Sequence, residues 1–150
     1  MKPFRFRLQR ILDLREQHER ERARSLGDAQ SDEARQKARV EDAAARLEDA
    51  ASTVREKAAE TPMPAGALRN LALTIEAAQR RLERAADDHR AAEASVEEER
   101  GKFHEARKDR RSVERLRERR EETWKEEASR ADQKEIDQIA ARRWKKEGSS

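Results

Sequence analysis

The side chains best suited to acid–base or metal chemistry in this sequence are three histidines and several short acidic runs. The histidines His18, His89 and His104 never lie three or four residues apart, the spacing that puts two metal ligands on one face of a helix. Acidic pairs such as Asp87-Asp88 need a cleft that shifts their pKa values before they can catalyse a reaction. A helical rod offers no such cleft, and the four glycines form no phosphate-binding loop. We therefore predict a protein that is not an enzyme and holds no metal or cofactor.

Basic clusters in the C-terminal half are a second set of candidate functional residues. They are Arg107-Lys108, Arg110-Arg111, the arginine-rich stretch 115–120, and Arg142-Arg143 with Lys145-Lys146. Acidic residues are interspersed throughout, 33 against 36 basic ones, so a pI of about 9.4 is weak support for nucleic-acid binding. The last cluster flanks Trp144, and arginine beside an aromatic ring is typical of protein interfaces. We expect a protein partner there and no nucleic acid.

The composition excludes an ordinary globular core. Charged residues make up 46% of the chain, hydrophobic residues 34% and aromatic residues 3%, with a mean hydropathy of -1.30. These values leave a disordered polyampholyte or a coiled coil. No apolar run approaches the roughly 20 residues that cross a bilayer, and the lack of cysteine fits a reducing compartment. A soluble cytoplasmic protein is expected.

Two prolines divide the sequence into two arms. Pro62 and Pro64 each remove a backbone donor and disfavour helical geometry in the preceding residue, so a helix must end there. The expected organisation is a single domain, 1–150, with one helix over about 5–59, a turn at 60–66, a longer helix over about 67–145 and a frayed tail at 146–150.

Seven-residue spacings decide between disorder and coiled coil. In the first arm the rows are Leu12, Glu19, Leu26, Glu33, Val40, Leu47 and Val54, and beside them Ala29, Gln36, Ala43 and Ala50. In the second arm they are Leu68, Ile75, Leu82, His89, Val96 and Phe103, and Leu71, Ala78, Ala85, Ala92, Glu99, Ala106 and Val113. This regularity predicts an all-α fold, two long helices in an antiparallel coiled coil. Pairing is expected to loosen at Glu19, Arg22 and Glu33, where charge occupies the seam. His89 is expected to be a packed or partly solvated imidazole and not a ligand.

The proline turn also predicts which segments face each other. The apolar stripe Phe4, Leu8, Ile11 and Leu12 should lie opposite residues 115–122 and meet Val113, Leu116 and Trp124. The segment from about 125 to 145 then has no partner in a monomer. Ile136 and Ile139 give it an apolar edge, which is typical of a helix that binds another protein.

Both ends of the chain resemble the flagellar export protein family FliJ. The opening run 4–16, Phe-Arg-Phe-Arg-Leu-Gln-Arg-Ile-Leu-Asp-Leu-Arg-Glu, resembles the family's N-terminus. The run 130–142, with Asp132-Gln133-Lys134 followed by Ile136-Asp137, resembles its C-terminal motif. Length, the absence of cysteine and the position of the proline break also agree with this family.

The resemblance implies a component of the flagellar type III protein export apparatus, similar in shape to the stalk of rotary ATPases. Such proteins bind the hexameric export ATPase, promote its assembly and activity, and link it to an FlhA-type export-gate membrane protein. They are also described as escorting export chaperones. The implied location is cytoplasmic, peripherally associated with the inner face of the cell membrane at the flagellar base.

The resemblance also implies two binding surfaces. The ATPase-binding residues would be Phe4, Leu8, Leu12, Asp132, Gln133, Lys134, Ile136, Asp137, Ile139 and Arg142. The export-gate-binding residues would be Ala43, Ala50, Leu71, Ile75, Ala78 and Leu82. This sequence has alanine and arginine on the first arm where some relatives carry aromatic residues.

Three alternatives remain open from the sequence. One is the stalk protein of an injectisome-type secretion system, and another is a coiled-coil scaffold or RNA-associated rod whose arginines bind phosphate. The third is a homodimer, because heptad seams do not distinguish pairing within a chain from pairing between chains.

Overall fold

The computed structural model of the chain describes residues 2–60 and 62–149. In this part of the chain, α1 spans Gln9–Glu60, α2 spans Ala65–Glu147 and there is no strand. The second helix is the longer one, and the two helices pack as a hairpin. The predicted all-α class and helix order are therefore confirmed.

The break between the helices falls at the prolines. Pro62, Met63 and Pro64 are not helical, and Thr61 of the predicted turn lies outside the described residues. The Pro64 carbonyl accepts hydrogen bonds from the backbone N–H groups of Ala67 at 3.0 Å and Leu68 at 3.2 Å. Proline is tolerated at the start of a helix because the first N–H groups have no helical acceptor. This is why α2 begins at Ala65, two residues earlier than expected.

The first helix begins later than the sequence pattern suggested. Residues 2–6 are not helical, and the first helical hydrogen bond runs from the Leu12 N–H to the Leu8 carbonyl at 2.9 Å. The preceding segment instead lies against Trp124, whose Nε1 donates to the Lys2 carbonyl at 3.2 Å and whose ring is 6.1 Å from that of Phe4. These contacts hold the segment in place. Phe4 is therefore not part of one helical stripe with Ile11 and Leu12.

Contacts divide the chain into unit 1, Met1–Arg20 with Glu105–Ser150, and unit 2, Glu21–His104. In unit 1 the side chains of Leu12 and Ala106 are each only 2% exposed. Phe4 contacts Trp124, and Arg15 pairs with Asp109 at 3.3 Å. From the first of these contacts to the second, the residue number rises in the first segment and falls in the second. The helices of unit 1 are therefore antiparallel.

The same direction holds inside unit 2. Glu33 contacts His89 at 2.7 Å between Oε1 and Nε2, and farther along α1 Ala43 shares a small cavity with Ala78 of α2. Among the described residues of this unit, the buried apolar ones are Ala92 and Val96. The heptad rows predicted from the sequence are buried or half-buried in both units except at Leu68, which is 49% exposed. Leu68 lies in the first turn of α2, and residues 55–59 at the end of α1 are themselves exposed.

Two of the three charged seam positions where loosening was expected, Glu19 and Glu33, are paired across the helices, whereas Arg22 is half-buried. In unit 1 the Arg110 guanidinium donates to Glu19 across the helices and to Glu114 of its own helix at 2.6 Å. Burial lowers the pKa of Arg110, but hydrogen bonds and charge from Glu19 and Glu114 outweigh it and raise the pKa above the usual arginine range. The guanidinium therefore stays charged beside its carboxylates. In unit 2 the side-chain carboxyl group of Glu33 contacts the imidazole of His89 instead of an apolar residue.

Candidate protein-binding surfaces

The C-terminal part of α2 is an exposed helix with an apolar edge. Every described residue from 129 to 149 is exposed. Ile136 is 59% exposed, Ile139 47% and Trp144 79%. At 100° per residue these three side chains fall within an arc of about 140° on one side of the helix. The expected exposure of the segment from about 125 to 145 is confirmed from residue 129 onwards, whereas Ala128 is half-buried and Glu127 lines a cavity with Phe4. Large exposed apolar side chains grouped in this way are typical of an interaction site.

The predicted C-terminal motif residues all lie on this exposed helix. Asp132, Gln133, Lys134, Ile136, Asp137, Ile139 and Arg142 are exposed. Within the motif, Gln133 Nε2 donates to Asp137 Oδ1 at 2.9 Å, one turn apart. This contact stabilises the helix only slightly. The backbone of the motif is therefore helical, and its side chains are available to a partner.

The N-terminal residues predicted for the same surface have different environments. Phe4 and Leu8 are half-buried and line a cavity of about 600 Å³ together with Leu116, Trp124 and Glu127. The predicted proximity of this stripe to Leu116 and Trp124 is therefore confirmed. The cavity wall also includes Arg5, Arg7, Arg120 and Thr123.

Leu12 was predicted for the same surface as Phe4 and Leu8, but it is only 2% exposed. In the closed hairpin it belongs to the core and not to the surface. The exposed apolar side chains of this part of α1 are its neighbours Ile11, 42% exposed, and Leu14, 59% exposed. Leu14 was missed by sequence reasoning. The sequence signal for its exposure was that Leu14 is an apolar residue that lies off the heptad rows, close to Leu12, which lies on them.

A short stretch of α2 separates the cavity that contains Phe4 and Leu8 from the C-terminal motif. The cavity that contains Phe4 and Leu8 ends at Glu127, and the C-terminal motif begins at Asp132. Five residues of helix correspond to about 7.5 Å. A partner that covers both would have to extend along the helix over that distance.

The residues predicted to bind an export gate lie in unit 2, at the seam between the helices. Ala43, Ala50, Leu71, Ile75, Ala78 and Leu82 are all half-buried. Ala43, Ala78 and Ala85 line a cavity of about 200 Å³, with Arg39, Asp42, Arg46 and Arg81 around it. The large apolar side chains that are exposed in this part of α2 are Leu68, at 49%, and Leu73, at 52%. Leu73 was also missed because it lies off the heptad rows.

One group of side chains has the donor types of a metal site. Glu33 of α1 and His89 and Glu93 of α2 place one potential ligand atom each within 4.8 Å of one another. The search for histidine pairs in the sequence overlooked it because two of its members are glutamates and one lies on the other helix. Among the described residues, no helix is long and apolar enough to cross a membrane.

Comparison with known proteins gives a family match over nearly the whole chain. The family model described as "Flagellar FliJ protein" matches residues 4–149, nearly the whole chain. The chain matches no curated protein and no solved structure.

Proposed function

Because the chain belongs to the FliJ family and is a component of the flagellar export apparatus, we propose that it binds the hexameric export ATPase through the exposed edge of α2. The observation that carries this proposal is the exposure of Ile136, Ile139 and Trp144 on the C-terminal part of α2, where every described residue from 129 to 149 is exposed. Leaving three such side chains in water is unfavourable, and covering them by a partner removes that cost.

The charges around the edge suit a partner of mixed polarity. Arg142, Arg143, Lys145 and Lys146 are exposed beside Trp144, and Asp132 and Asp137 are exposed on the motif. In interfaces of this kind aromatic and arginine residues contribute most of the affinity, while surrounding charges steer the approach of the partner. Phe4 and Leu8 would extend the contact into the cavity of unit 1, and Leu12 would support it from the core.

The proposed role is non-catalytic. Contact with one or several ATPase subunits would favour the assembled ring, because any partner that binds the ring better than the free subunit shifts the equilibrium towards the ring. Nucleotide hydrolysis would be performed by the ATPase alone. This role needs stable helices and a binding surface, and it needs no reactive group on this chain.

We further propose that unit 2 binds the export gate, an FlhA-type membrane protein, which would bring the chain to the inner face of the membrane. The exposed Leu68 and Leu73 support this surface, together with the predicted residues at the adjoining seam. Escort of export chaperones is a further proposed role of the same component, implied by the family. The family match favours the flagellar machinery over an injectisome.

A pair of matched double variants tests the two surfaces. I136D/I139D should weaken ATPase binding at least about 100-fold, because each change puts a charge into an apolar contact worth about 2 kcal/mol or more. L68D/L73D makes the same chemical change on exposed residues of unit 2 and should leave ATPase binding within about twofold. Affinity is measured by surface binding of the purified ATPase.

The same two variants against the cytoplasmic domain of the gate protein should give the opposite result. L68D/L73D should weaken gate binding, and I136D/I139D should not. Circular dichroism of both variants shows that the helices are intact. If both variants bind the ATPase as tightly as the unmodified chain, the assignment of ATPase binding to the edge of α2 is wrong.

A further inference from the structure

Glu33, His89 and Glu93 occupy the seam of unit 2 with their polar atoms facing one another. His89 Nε2 lies 2.7 Å from Glu33 Oε1 and 3.7 Å from Glu93 Oε1. The imidazole side chain is 19% exposed and that of Glu33 28%, while Glu93 at 57% reaches the site from the solvent side. One nitrogen and two carboxylates therefore converge from two helices.

The spacing within the group matches what a zinc ion requires. His89 and Glu93 are four residues apart on one face of α2, and Glu33 comes from the opposite helix. Zinc bonds of about 2.0 Å in tetrahedral geometry place neighbouring ligand atoms about 3.3 Å apart. The observed separations of 2.7 and 3.7 Å lie on either side of that value. All three ligand atoms lie within 4.8 Å of one another, so side-chain rotations would bring them to the ion.

The donor types select the class of cation. Imidazole and carboxylate together suit zinc and its neighbours among the transition metals, whereas magnesium and calcium prefer oxygen ligands alone. Three protein ligands leave a fourth position for water.

We propose that Glu33, His89 and Glu93 form a zinc-binding site that joins α1 to α2 within unit 2. The ion would replace the direct contact between Glu33 and His89, with Nε2 as the metal ligand and the imidazole proton on Nδ1. Since the unfolded chain does not hold the three ligands together, binding would stabilise the paired helices. The site is independent of the proposed ATPase and gate contacts.

Direct binding tests the site with the full-length chain. The unmodified protein should bind one Co²⁺ with the visible absorption of a four-coordinate ion, and added Zn²⁺ should displace it while Mg²⁺ should not. E93Q removes an exposed ligand without disturbing the seam and should weaken Zn²⁺ binding at least about tenfold. H89A should weaken it further.

The chain supplies a matched control for each variant. E83Q removes an exposed carboxylate from the same helix, and H18A removes an exposed histidine from unit 1. Both should bind Zn²⁺ like the unmodified chain, and at the same Zn²⁺ concentration the midpoint of thermal unfolding should rise more in these two proteins than in E93Q. The proposal is overturned if the unmodified chain shows no saturable binding, or if E93Q and E83Q bind Zn²⁺ equally.

Discussion

Truncation of Leu12 to alanine should lower the free energy of unfolding by about 2 to 3 kcal/mol. Leu12 is 2% exposed and is the largest fully buried side chain among the described residues. Its removal loses the burial of several methyl and methylene groups and leaves a cavity beside a helix pair that has few other large core residues. For a chain in which two of the four buried hydrophobic residues are alanines, this is a large share of the total stability.

Leu14→Ala is the matched control, since it makes the same change two residues away at a side chain that is 59% exposed. It should cost less than about 0.5 kcal/mol. Urea unfolding followed by circular dichroism measures both. Equal losses for the two variants would contradict the assignment of Leu12 to the core.

The ion pair between Glu19 and Arg110 should couple the two helices of unit 1 by about 1 to 2 kcal/mol in a double-mutant cycle with alanine. Both side chains are less than one-fifth exposed, so the pair is screened by water less than a surface pair. Glu19→Ala leaves Arg110 with Glu114 alone. The single change therefore removes one of the two carboxylates that compensate a half-buried charge.

Unit 1 contains its own control for this cycle. Arg15 and Asp109 also pair across the helices, at 3.3 Å, but their side chains are 46% and 50% exposed. Their coupling should be below about 0.5 kcal/mol, because exposed ion pairs gain little over hydration. Equal coupling energies in the two cycles would contradict the view that the position of the charge in the seam determines its contribution.

Replacement of both Glu19 and Arg110 by leucine should have a different effect. Apolar residues at these two positions would leave stability unchanged or raise it, as with other part-buried ion pairs. The helices would pair less specifically, because a continuous apolar seam also suits other registers and pairing between two chains. Sedimentation should then show dimers that the unmodified chain forms less readily.

The helix order and most of the seam could be predicted because both depend on local sequence. Pro62 and Pro64 end a helix whatever surrounds them, and a seven-residue apolar spacing identifies the buried face without knowledge of the partner. The start of α1 could not be predicted in this way. It depends on the packing of Phe4 against Trp124, a contact between residues 120 positions apart in the sequence.

The partners of the charged seam residues could not be predicted from the sequence either. From the sequence alone Glu19 and Glu33 weaken the apolar rows. Their partners, Arg110 and His89, become known only when the register of the two helices is known. Heptad spacing does not fix that register, because a shift by seven residues preserves the pattern.

The candidate surfaces could be predicted only in part, because some of them depend on how the two helices pack. The exposed edge at Ile136 and Ile139 followed from the unequal lengths of the two arms and needed no register. The burial of Leu12 beside the exposed Ile11 and Leu14 required the rotation of α1 against α2. Apolar residues off the heptad rows were the available signal for such exposed side chains.

The central claim is that the edge of α2 binds the export ATPase and promotes its assembly. Its most direct test is the rate of ATP hydrolysis by the cognate ATPase at sub-saturating concentration, with ring formation followed by light scattering. The unmodified chain should raise both the rate and the amount of hexamer, saturating at a fixed stoichiometry, and I136D/I139D should raise neither. If the unmodified chain, shown to be helical by circular dichroism, changes neither rate nor assembly, the claim is contradicted.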